Sequence, residues 1–447
     1  MILKKVQKLQ NQLINKIIKL IINENPNFVF DSRLIKKGDI FIGIKTKNDD
    51  GSNYAESALS KGCSLAIINK NIINKKIIFV PDVLEFLIIV TSKILKRYNG
   101  KIIAITGSVG KTTLKENLFL FLKREKIKAY KSYKNFNNEL GLIINILNMD
   151  MDTSFSLFEV GISKMNEMKR LTNILNPHYI LITNIEDSHI GNFKSYKNLV
   201  KNKLLLLKSN RLISALVNFN KNYNLIPPSY TSNAKIKFIN FKNDIIINNI
   251  NPNKKSFLIN FNFHNKAHEI RSESNNTISC NIAIMSFFFI NIIIKSNLYK
   301  KFFFKASFLK GHGNIIDINI DNHKYQIYDH SYNASPYSLK ENLNLFLNMP
   351  DYNINNIIII GSMKELGIYS LKYHKDIIYM LRNFTNIFFI GDEFNKLLKS
   401  SNPYGFKFYK NSVEFLPIIK NYLNKSKKIF IMGSRSNKLD MIVDELC

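Results

Sequence analysis

"IIAITGSVGKTTLKENL", residues 102–118, is the stretch that decides the fold. Residues 102–105 form a short apolar run, which predicts a buried strand of a parallel sheet. Residues 114–122 are helix formers with apolar side chains at helical spacing. A strand, a glycine-bracketed turn and a helix in this order predict a phosphate-binding loop.

The chemistry of this turn suits a polyphosphate. Gly107 and Gly110 let the backbone curl so that successive N–H groups converge, and the helix N-terminus adds donors and its dipole. We expect Lys111 to pair with the outer phosphates and the Thr112 hydroxyl to ligate Mg²⁺. The common P-loop has a glycine where this chain has Ile105, so the pattern is the shorter T-G-x-x-G-K-T-T. Nucleotide binding alone leaves ATPase, GTPase, kinase and ligase activities open.

Composition sets the broad class of the protein. A chain of 447 residues predicts roughly three domains. The 64 basic and 33 acidic residues give a formal charge of +31, which by itself would suggest a nucleic-acid-binding ATPase. The basic residues are mostly lysines scattered through every segment, together with abundant Ile, Asn, Phe and Tyr, all encoded by A- and T-rich codons. We therefore attribute the charge to compositional drift and expect no nucleic-acid partner.

The cysteines and apolar stretches indicate a cytoplasmic location. Cys63, Cys280 and Cys447 are odd in number, far apart and without metal-ligand spacing, which is typical of a reducing compartment. The longest strongly apolar stretch, residues 287–294, is far shorter than the ~18 residues of a membrane span.

The N-terminal segment predicts an amphipathic helix. Val6, Leu9, Leu13, Ile17 and Ile21 share one helical face, interleaved with Lys and Gln. The segment lacks the unbroken apolar core of a signal peptide and the arginines of a transit peptide. We expect this helix to pack on its own domain without stable membrane insertion, and binding to a membrane surface is the alternative.

Apolar runs alternate with helical stretches along most of the chain. This alternation predicts an α/β protein with doubly wound parallel sheets. We place a small α/β unit at residues 1–98, a P-loop unit at residues 99–304 and a third α/β unit at residues 305–447. Residues 220–276, rich in Asn and Lys, predict a β-rich excursion.

Two further residues are candidates for the metal site. Residues 155–158 form an apolar strand that ends in Glu159, where a parallel sheet presents a carboxylate to a neighbouring P-loop. His189 follows the next run at the same carboxyl edge, where ligands of open α/β folds gather. From spacing alone His189 is equally well a surface histidine, and Lys201 and Lys203 on the following helix are equally well solvated charges.

"KSYKNFNNELG" crowds asparagines into a loop after the P-loop helix. Amides donate and accept, so Asn135, Asn137 and Asn138 could bind sugar hydroxyls or phosphate oxygens. The abundance of Asn throughout the chain is an alternative reason for the cluster.

Motifs in a fixed order from residue 31 to residue 440 resemble those of the Mur ligases, the ATP-dependent amide-forming enzymes of peptidoglycan precursor synthesis. They are "DSRLIKKGDIFIGIK", "DDGSNY", "TGSVGKTT", "NFNNELG", "FEVG", "SHIGNF", "DHSYNASP", "GSMKELG" and "MGSRSNKLD". The resemblance implies a uridine-nucleotide-binding N-terminal domain, a central ATP-binding domain and a C-terminal Rossmann-like domain that closes over ATP. It also accounts for the short P-loop spacing.

The resemblance implies roles for individual residues. Catalytic roles fall to Lys111, His189 and Lys203, the last at the position of a carbamylated lysine, and the metal ligands are Thr112, Glu159, His189 and Lys203. ATP contacts are implied for Gly107, Ser108, Val109, Gly110, Lys111, Thr112, Thr113, Asn281, His312, Asn314 and Asp329. Substrate contacts are implied for Ser32, Arg33, Lys45, Asn137, Asn138, Asn333, Ser434 and Arg435.

The third-domain motifs favour the family member that adds D-Ala-D-Ala to UDP-MurNAc-tripeptide over relatives that add single amino acids. The D-N-P-R signature of the enzyme that adds the third residue is absent from the sequence. The resemblance thus implies a monomeric ligase that uses ATP and Mg²⁺, forms an acyl phosphate and closes about a hinge at residues 304–311. Another Mur ligase, a folylpolyglutamate-type ligase or a degraded nucleotide-binding relative are the alternatives.

Five positions depart from the family pattern. His312 stands for an Arg, His330 and Ser362 each for an Asp, Ser335 for an Asn, and Met432 for a Lys. A neutral imidazole has neither the permanent charge nor the bidentate fork of an arginine, so we expect weakened ATP affinity. The Glu usual shortly after Lys203 is also replaced by leucines.

Overall fold

A computed structural model gives the fold. It describes residues 2–46, 48–133, 136–219, 225–231, 233, 235–239, 246–247, 257–263, 266–272, 277–294, 301–304, 310–321, 323–349, 351–425 and 427–447. Asn135, about half of the predicted excursion at 220–276 and residues 305–309 of the predicted hinge lie outside these ranges.

The N-terminal part contains a four-stranded parallel sheet of order β1-β2-β3-β4. Its elements are α1 (Ile2–Glu24), β1 (Phe28–Val29), β2 (Ile40–Ile42), α2 (Ala55–Ser60), β3 (Leu65–Ile68), β4 (Ile77–Phe79) and α3 (Val83–Arg97). The apolar run at residues 40–44 forms a strand as far as Ile42, and beyond it the Ile44 carbonyl accepts a hydrogen bond from the Gly51 N–H at 3.0 Å.

Helix α1 packs on the body of the protein through one apolar face. Ile14, Ile17, Ile18 and Ile21 are at most 2% exposed and belong to one apolar cluster with residues of α3. This is the packing that the amphipathic pattern predicts. Within the described residues, every helix is too short or too polar to cross a membrane.

The central part is built on a six-stranded sheet of order β10-β9-β8-β5-β7-β6 in which all paired strands are parallel. Its elements are β5 (Lys101–Thr106), α4 (Lys111–Arg124), β6 (Ala129–Lys131), α5 (Glu139–Leu147), β7 (Phe155–Glu159), α6 (Glu167–Leu175), β8 (Tyr179–Ile182), α7 (Tyr196–Leu204), β9 (Ser214–Asn218), α8 (Pro228–Thr231) and β10 (Ile236–Ile239). The doubly wound parallel sheet predicted from the sequence is confirmed.

A second, mixed sheet of order β11-β12-β13-β14 follows the central one. Its elements are β11 (Ile246–Ile247), β12 (Phe257–Phe263), β13 (Lys266–Ser272), α9 (Thr277–Ile294) and β14 (Lys301–Phe304). Helix α9 packs against α4. It therefore forms part of the surroundings of the phosphate loop.

The C-terminal part holds a six-stranded sheet of order β15-β16-β20-β17-β18-β19, antiparallel only at the β15–β16 pair. Its elements are β15 (Asn314–Ile320), β16 (His323–His330), α10 (Pro336–Leu347), β17 (Ile357–Gly361), α11 (Ser370–Met380), β18 (Ile387–Ile390), α12 (Asp392–Ser400), β19 (Lys407–Tyr409), α13 (Ser412–Phe415), β20 (Lys428–Met432) and α14 (Asp440–Leu446). The apolar runs at residues 357–360, 387–390 and 429–432 lie in three of these strands, β17, β18 and β20.

The packing of α1 gives a first prediction. Ile17 is fully buried, so Ile17→Ala should lower the free energy of unfolding by about 2–5 kcal/mol through lost burial and a residual cavity. Ile22 on the same helix is 48% exposed, and Ile22→Ala should change the stability little. Urea unfolding of both variants compares them, and equal stability would contradict the packing of α1 on the protein.

Candidate functional site

The turn between β5 and α4 has the conformation that a phosphate loop requires. Gly107 and Gly110 have φ values of +149° and +84°, in the region that side-chain-bearing residues rarely adopt. A Cβ on Gly107 would collide with the Thr183 hydroxyl. Lys111 turns back over the loop, where its Nζ donates to the Gly107 carbonyl at 3.0 Å. The ammonium group therefore lies over the curled backbone.

Glu159, at the end of β7, lies beside the loop. Its Oε2 accepts a hydrogen bond from the Thr112 hydroxyl at 2.7 Å, and its Oε1 accepts one from the Asn137 amide at 2.8 Å. The residue is only 2% exposed. Burial lowers the pKa of Lys111, and the nearby Glu159 carboxylate opposes that shift. A buried carboxylate, a hydroxyl and an ammonium thus meet at one loop.

Lys203 on α7 lies behind this loop and is 2% exposed. Burial, with repulsion from Lys111, lowers its pKa to about 7. It is close enough to Lys111 for the two charges to interact, but it is not among the residues that line the cavity described next.

A cavity of about 500 Å³ opens between the central and C-terminal parts of the chain. The predicted site residues that line it are Ser108, Val109, Gly110, Lys111, Thr112, Thr113, Asn137, Glu159, His189, His312, Asn333, Ser434 and Arg435. Residues from both sides therefore face one shared cavity.

An aromatic stack forms the C-terminal wall. The His312 ring stacks on Tyr332 with 4.1 Å between ring centroids, and the Arg435 guanidinium lies 5.2 Å from the Tyr332 ring centroid. Burial lowers the pKa of His330 to about 4, and His312 adds to that shift. With two neutral imidazoles here, Arg435 brings a permanent charge to this wall.

Several predicted site residues serve other contacts in this structure. The Asn138 side chain caps α5 by accepting from the Gly141 N–H at 2.9 Å. The fully buried Asp329 carboxylate accepts from the Gly311 N–H at 2.9 Å and the Ser331 N–H at 3.0 Å, which fixes the loops that carry His312. The other predicted residues outside the cavity lining are Gly107, Lys203, Asn281, Asn314, Ser32, Arg33 and Lys45.

The predicted substrate residues Ser32, Arg33 and Lys45 belong to the N-terminal part. Arg33 forms an ion pair with Asp31 at 2.7 Å and its side chain is 84% exposed. Lys45 pairs with Asp50 in an isolated β-bridge. These three residues lie outside the cavity, in segments that follow β1 and β2.

The departures from the family pattern are accommodated locally. Ser335 caps α10 by accepting from the Ser338 N–H at 3.3 Å, a role that short polar side chains share. Ser362 is fully buried, and Met432 ends β20 at 2% exposed. These substitutions therefore leave the C-terminal fold intact.

The central and C-terminal parts touch around His189. Its imidazole contacts the Glu365 carboxylate, and the Gly191 N–H donates to the Glu365 carbonyl at 3.1 Å. Ile190 is 2% exposed and belongs to the apolar cluster of the C-terminal part. Tyr373 donates to the Asp187 carboxylate at 2.7 Å. The motif that carries His189 is therefore also a domain contact.

Sequence reasoning did not single out Tyr332, Lys364 or Glu365, which also line the cavity. All three lie inside "DHSYNASP" and "GSMKELG", so their position within these motifs was the available signal.

The donors at the loop fit a magnesium ion held together with phosphates. Among the described residues, no three His, Cys, Asp or Glu side chains converge as a metal cluster. Thr112 and Glu159 supply hard oxygen donors beside the loop, and Mg²⁺ typically takes one or two protein oxygens with phosphate and water for the rest. This donor set is therefore sufficient for a phosphate-bound Mg²⁺.

Comparisons with known proteins agree with this geometry. The model of the Mur ligase middle domain matches residues 105–305. The UDP-N-acetylmuramoyl-tripeptide–D-alanyl-D-alanine ligase of Rickettsia prowazekii is 33% identical over 447 residues, covering 93% of this chain and 94% of the relative. A crystal structure of MurF from Acinetobacter baumannii has a TM-score of 0.80 at 22% identity, covering 94% of this chain and 93% of that one. A structure of the Thermotoga maritima MurF ligase in complex with ADP has a TM-score of 0.75 at 20% identity, with coverages of 94% and 97%.

The contact around Gly191 gives a second prediction. A Cβ on Gly191 would lie 2.7 Å from the Leu366 carbonyl carbon and 2.8 Å from the Gly367 Cα, so Gly191→Ala should force the two parts apart. Small-angle X-ray scattering should show a larger radius of gyration. Gly405→Ala, where an added Cβ meets nothing within 4 Å, should leave the radius unchanged. An unchanged radius for Gly191→Ala would contradict this close approach in solution.

Proposed function

The chain belongs to the UDP-N-acetylmuramoyl-tripeptide–D-alanyl-D-alanine ligase family, and from this we propose that it joins D-Ala-D-Ala to UDP-MurNAc-tripeptide with conversion of ATP to ADP and phosphate. The observation that carries the proposal is the shared cavity, in which the phosphate loop, a buried carboxylate and the C-terminal wall face one another. A cavity of this kind can hold ATP and bring two further substrates to it.

The chemistry requires activation of a carboxylate. Oxide is not a viable leaving group, so an amine does not displace it from the tripeptide carboxylate. Transfer of the γ-phosphoryl group of ATP to a carboxylate oxygen gives an acyl phosphate and ADP. The D-Ala-D-Ala amine then attacks the acyl carbon, a C–N bond forms, the C–O bond to phosphate breaks, and the amine loses a proton.

Lys111 and the loop are assigned to the phosphates. The Lys111 ammonium, with the N–H groups at the start of α4, stabilises charge on the transferring group, which is where electrostatic catalysis is most effective. Thr112 and Glu159 would hold Mg²⁺. When bound, the ion would supply positive charge next to the negatively charged phosphates. Stabilising the negative charge on the transferring group in a buried site lowers the barrier to phosphoryl transfer.

The position of the cavity between two parts of the chain is suited to protecting the intermediate from water. An acyl phosphate hydrolyses in water, so a site between two closing parts of the chain favours amide formation over hydrolysis. The contact of Ile190 with the C-terminal apolar cluster supports a closed arrangement of this kind.

The remaining substrate contacts are divided between the two ends of the molecule. Ser32, Arg33 and Lys45 are proposed to bind the uridine nucleotide, and Asn333, Ser434 and Arg435 the incoming dipeptide. Arg435 supports this assignment because it brings a permanent cation to the C-terminal wall, suited to a substrate carboxylate.

Four finer assignments belong to the same proposal. Lys203 is assigned as a carbamylated metal ligand on the resemblance. The enzyme is assigned to the cytoplasm, where ATP and nucleotide-linked sugars are available, and it is expected to act as a monomer. The imidazole at His312 is expected to weaken the affinity for ATP relative to an arginine.

The activity gives a third prediction. With UDP-MurNAc-tripeptide and D-Ala-D-Ala present, Lys111→Ala should reduce ADP release by about 10²-fold or more, because a charge-stabilising group is lost. Lys123→Ala, on the exposed face of the same helix, should leave the rate unchanged. Coupled ADP detection measures the rate, and mass spectrometry identifies the product. A wild-type protein that binds ATP but shows no dependence of ADP release on both substrates would contradict the proposed function.

A further inference from the structure

Two residues that follow β8, Thr183 and Asn184, form hydrogen bonds with the phosphate loop. They are here termed the Thr183–Asn184 clamp. The Asn184 Oδ1 accepts from the N–H of Ser108 at 3.2 Å and from the N–H of Val109 at 3.0 Å. The Ser108 N–H also donates to the Asn184 backbone carbonyl at 3.1 Å. The Asn184 Nδ2 and the Thr183 Oγ1 both donate to the Val109 carbonyl, at 3.1 Å and 2.6 Å. One side chain thus binds two loop N–H groups, and both residues bind one loop carbonyl.

These N–H groups are engaged away from the cavity. Asn184 is 7% exposed and does not line the cavity, although Ser108 and Val109 do. An N–H that donates to a buried amide oxygen is not available to a phosphate in the cavity. The N–H groups of Ser108 and Val109 therefore bind other parts of the protein. The first half of the loop shapes the site but does not donate these hydrogen bonds to a ligand.

The second half of the loop remains open to an anion. Gly110 is the N-cap of α4 and makes no side-chain capping bond, and the first helical hydrogen bond is donated by Leu114 to the Gly110 carbonyl. A helix leaves its first N–H groups without helical partners. Those of Lys111, Thr112 and Thr113 belong to residues that line the cavity.

Lys111 and Glu186 make further contacts with the backbone and side chains of the loop. The Lys111 Nζ donates to the Gly107 carbonyl at 3.0 Å, and the Ser108 hydroxyl donates to the Glu186 carbonyl at 2.8 Å while accepting from the Glu186 N–H at 2.8 Å. A glycine-rich loop loses much conformational entropy when it becomes ordered. Contacts that order it beforehand reduce what ligand binding must supply.

We propose that the Thr183–Asn184 clamp is a positioning element of the nucleotide site: it orders the first half of the loop so that the polyphosphate is bound by the helix N-terminus and Lys111. The inference rests on the proposed function in taking a nucleoside polyphosphate as the ligand of the loop. It assigns Asn184 no contact with the nucleotide.

An opposite role for Asn184 is physically distinct. Its amide oxygen could stand where a phosphate oxygen binds, so that the nucleotide must displace it. Removal of the side chain would then tighten nucleotide binding, whereas removal of a positioning group weakens it. The sign of the change separates the two roles.

The test measures Mg-ADP binding to the full-length protein by isothermal titration calorimetry. Asn184→Ala should raise the Kd for Mg-ADP about tenfold, because several hydrogen bonds that order the loop are lost. Thr183→Val, a milder change that removes one donor to Val109, should raise it about threefold. The Kd for UDP-MurNAc-tripeptide should stay at the wild-type value for both variants.

Asn148→Ala is the matched control. Its amide makes the same kind of paired contact with backbone, accepting from the Phe28 N–H at 2.7 Å and donating to the Phe28 carbonyl at 3.1 Å, but away from the cavity. It should change the thermal stability without changing the Kd for Mg-ADP. Hydrogen exchange in the nucleotide-free protein should show faster exchange at Val109, whose N–H donates to the Asn184 side chain, in Asn184→Ala only.

The outcomes separate the clamp from the activity. A Kd for Mg-ADP in folded Asn184→Ala at or below the wild-type value overturns the inference. If Asn184→Ala does not fold, an unchanged Kd in Thr183→Val overturns it. A wild-type protein that binds Mg-ADP but makes no amide product would overturn the proposed function while the clamp remains supported by the binding data.

Discussion

The register between β5 and β7 is the constraint on which the site depends. These strands pair in parallel with Ile105 opposite Glu159, and the hydrogen bond from Thr112 to Glu159 at 2.7 Å is possible only in this register. A slip of one residue would turn Glu159 to the other face of the sheet. Buried apolar side chains on both faces of the sheet fix the pairing of β5 with β7. Packing far from the cavity therefore determines the distance between the Thr112 hydroxyl and the Glu159 carboxylate.

The C-terminal part completes what the central sheet begins. The loop, Glu159 and His189 lie at the carboxyl edge of one parallel sheet, where open α/β folds bind ligands. The stack of His312, Tyr332 and Arg435 faces them across the cavity. Because the segment with His189 also packs into the C-terminal apolar cluster, ligand binding and domain contact share the same few residues. This coupling suits a reaction whose intermediate must be kept from water.

Sequence reasoning succeeded where one local rule decides the outcome. Apolar runs of strand length predicted β5 and β7, and the edge rule for parallel sheets put Glu159 and His189 near the loop. It did not find the contact of Asn184 with the loop or that of Arg435 with Tyr332, because these pairs are distant in sequence and follow no periodicity. The two imidazoles in the cavity wall were visible in the sequence, but their stacking partners depend on the tertiary fold.

The central claim is that the loop and its metal site convert a carboxylate into an acyl phosphate. The most direct measurement uses UDP-MurNAc-tripeptide with its acceptor carboxylate labelled with ¹⁸O, together with ATP, Mg²⁺ and D-Ala-D-Ala. Mass spectrometry of the released phosphate should find one ¹⁸O atom for each amide bond formed, because the carboxylate oxygen leaves with the phosphoryl group. Amide product formed while the released phosphate carries no ¹⁸O would contradict the account.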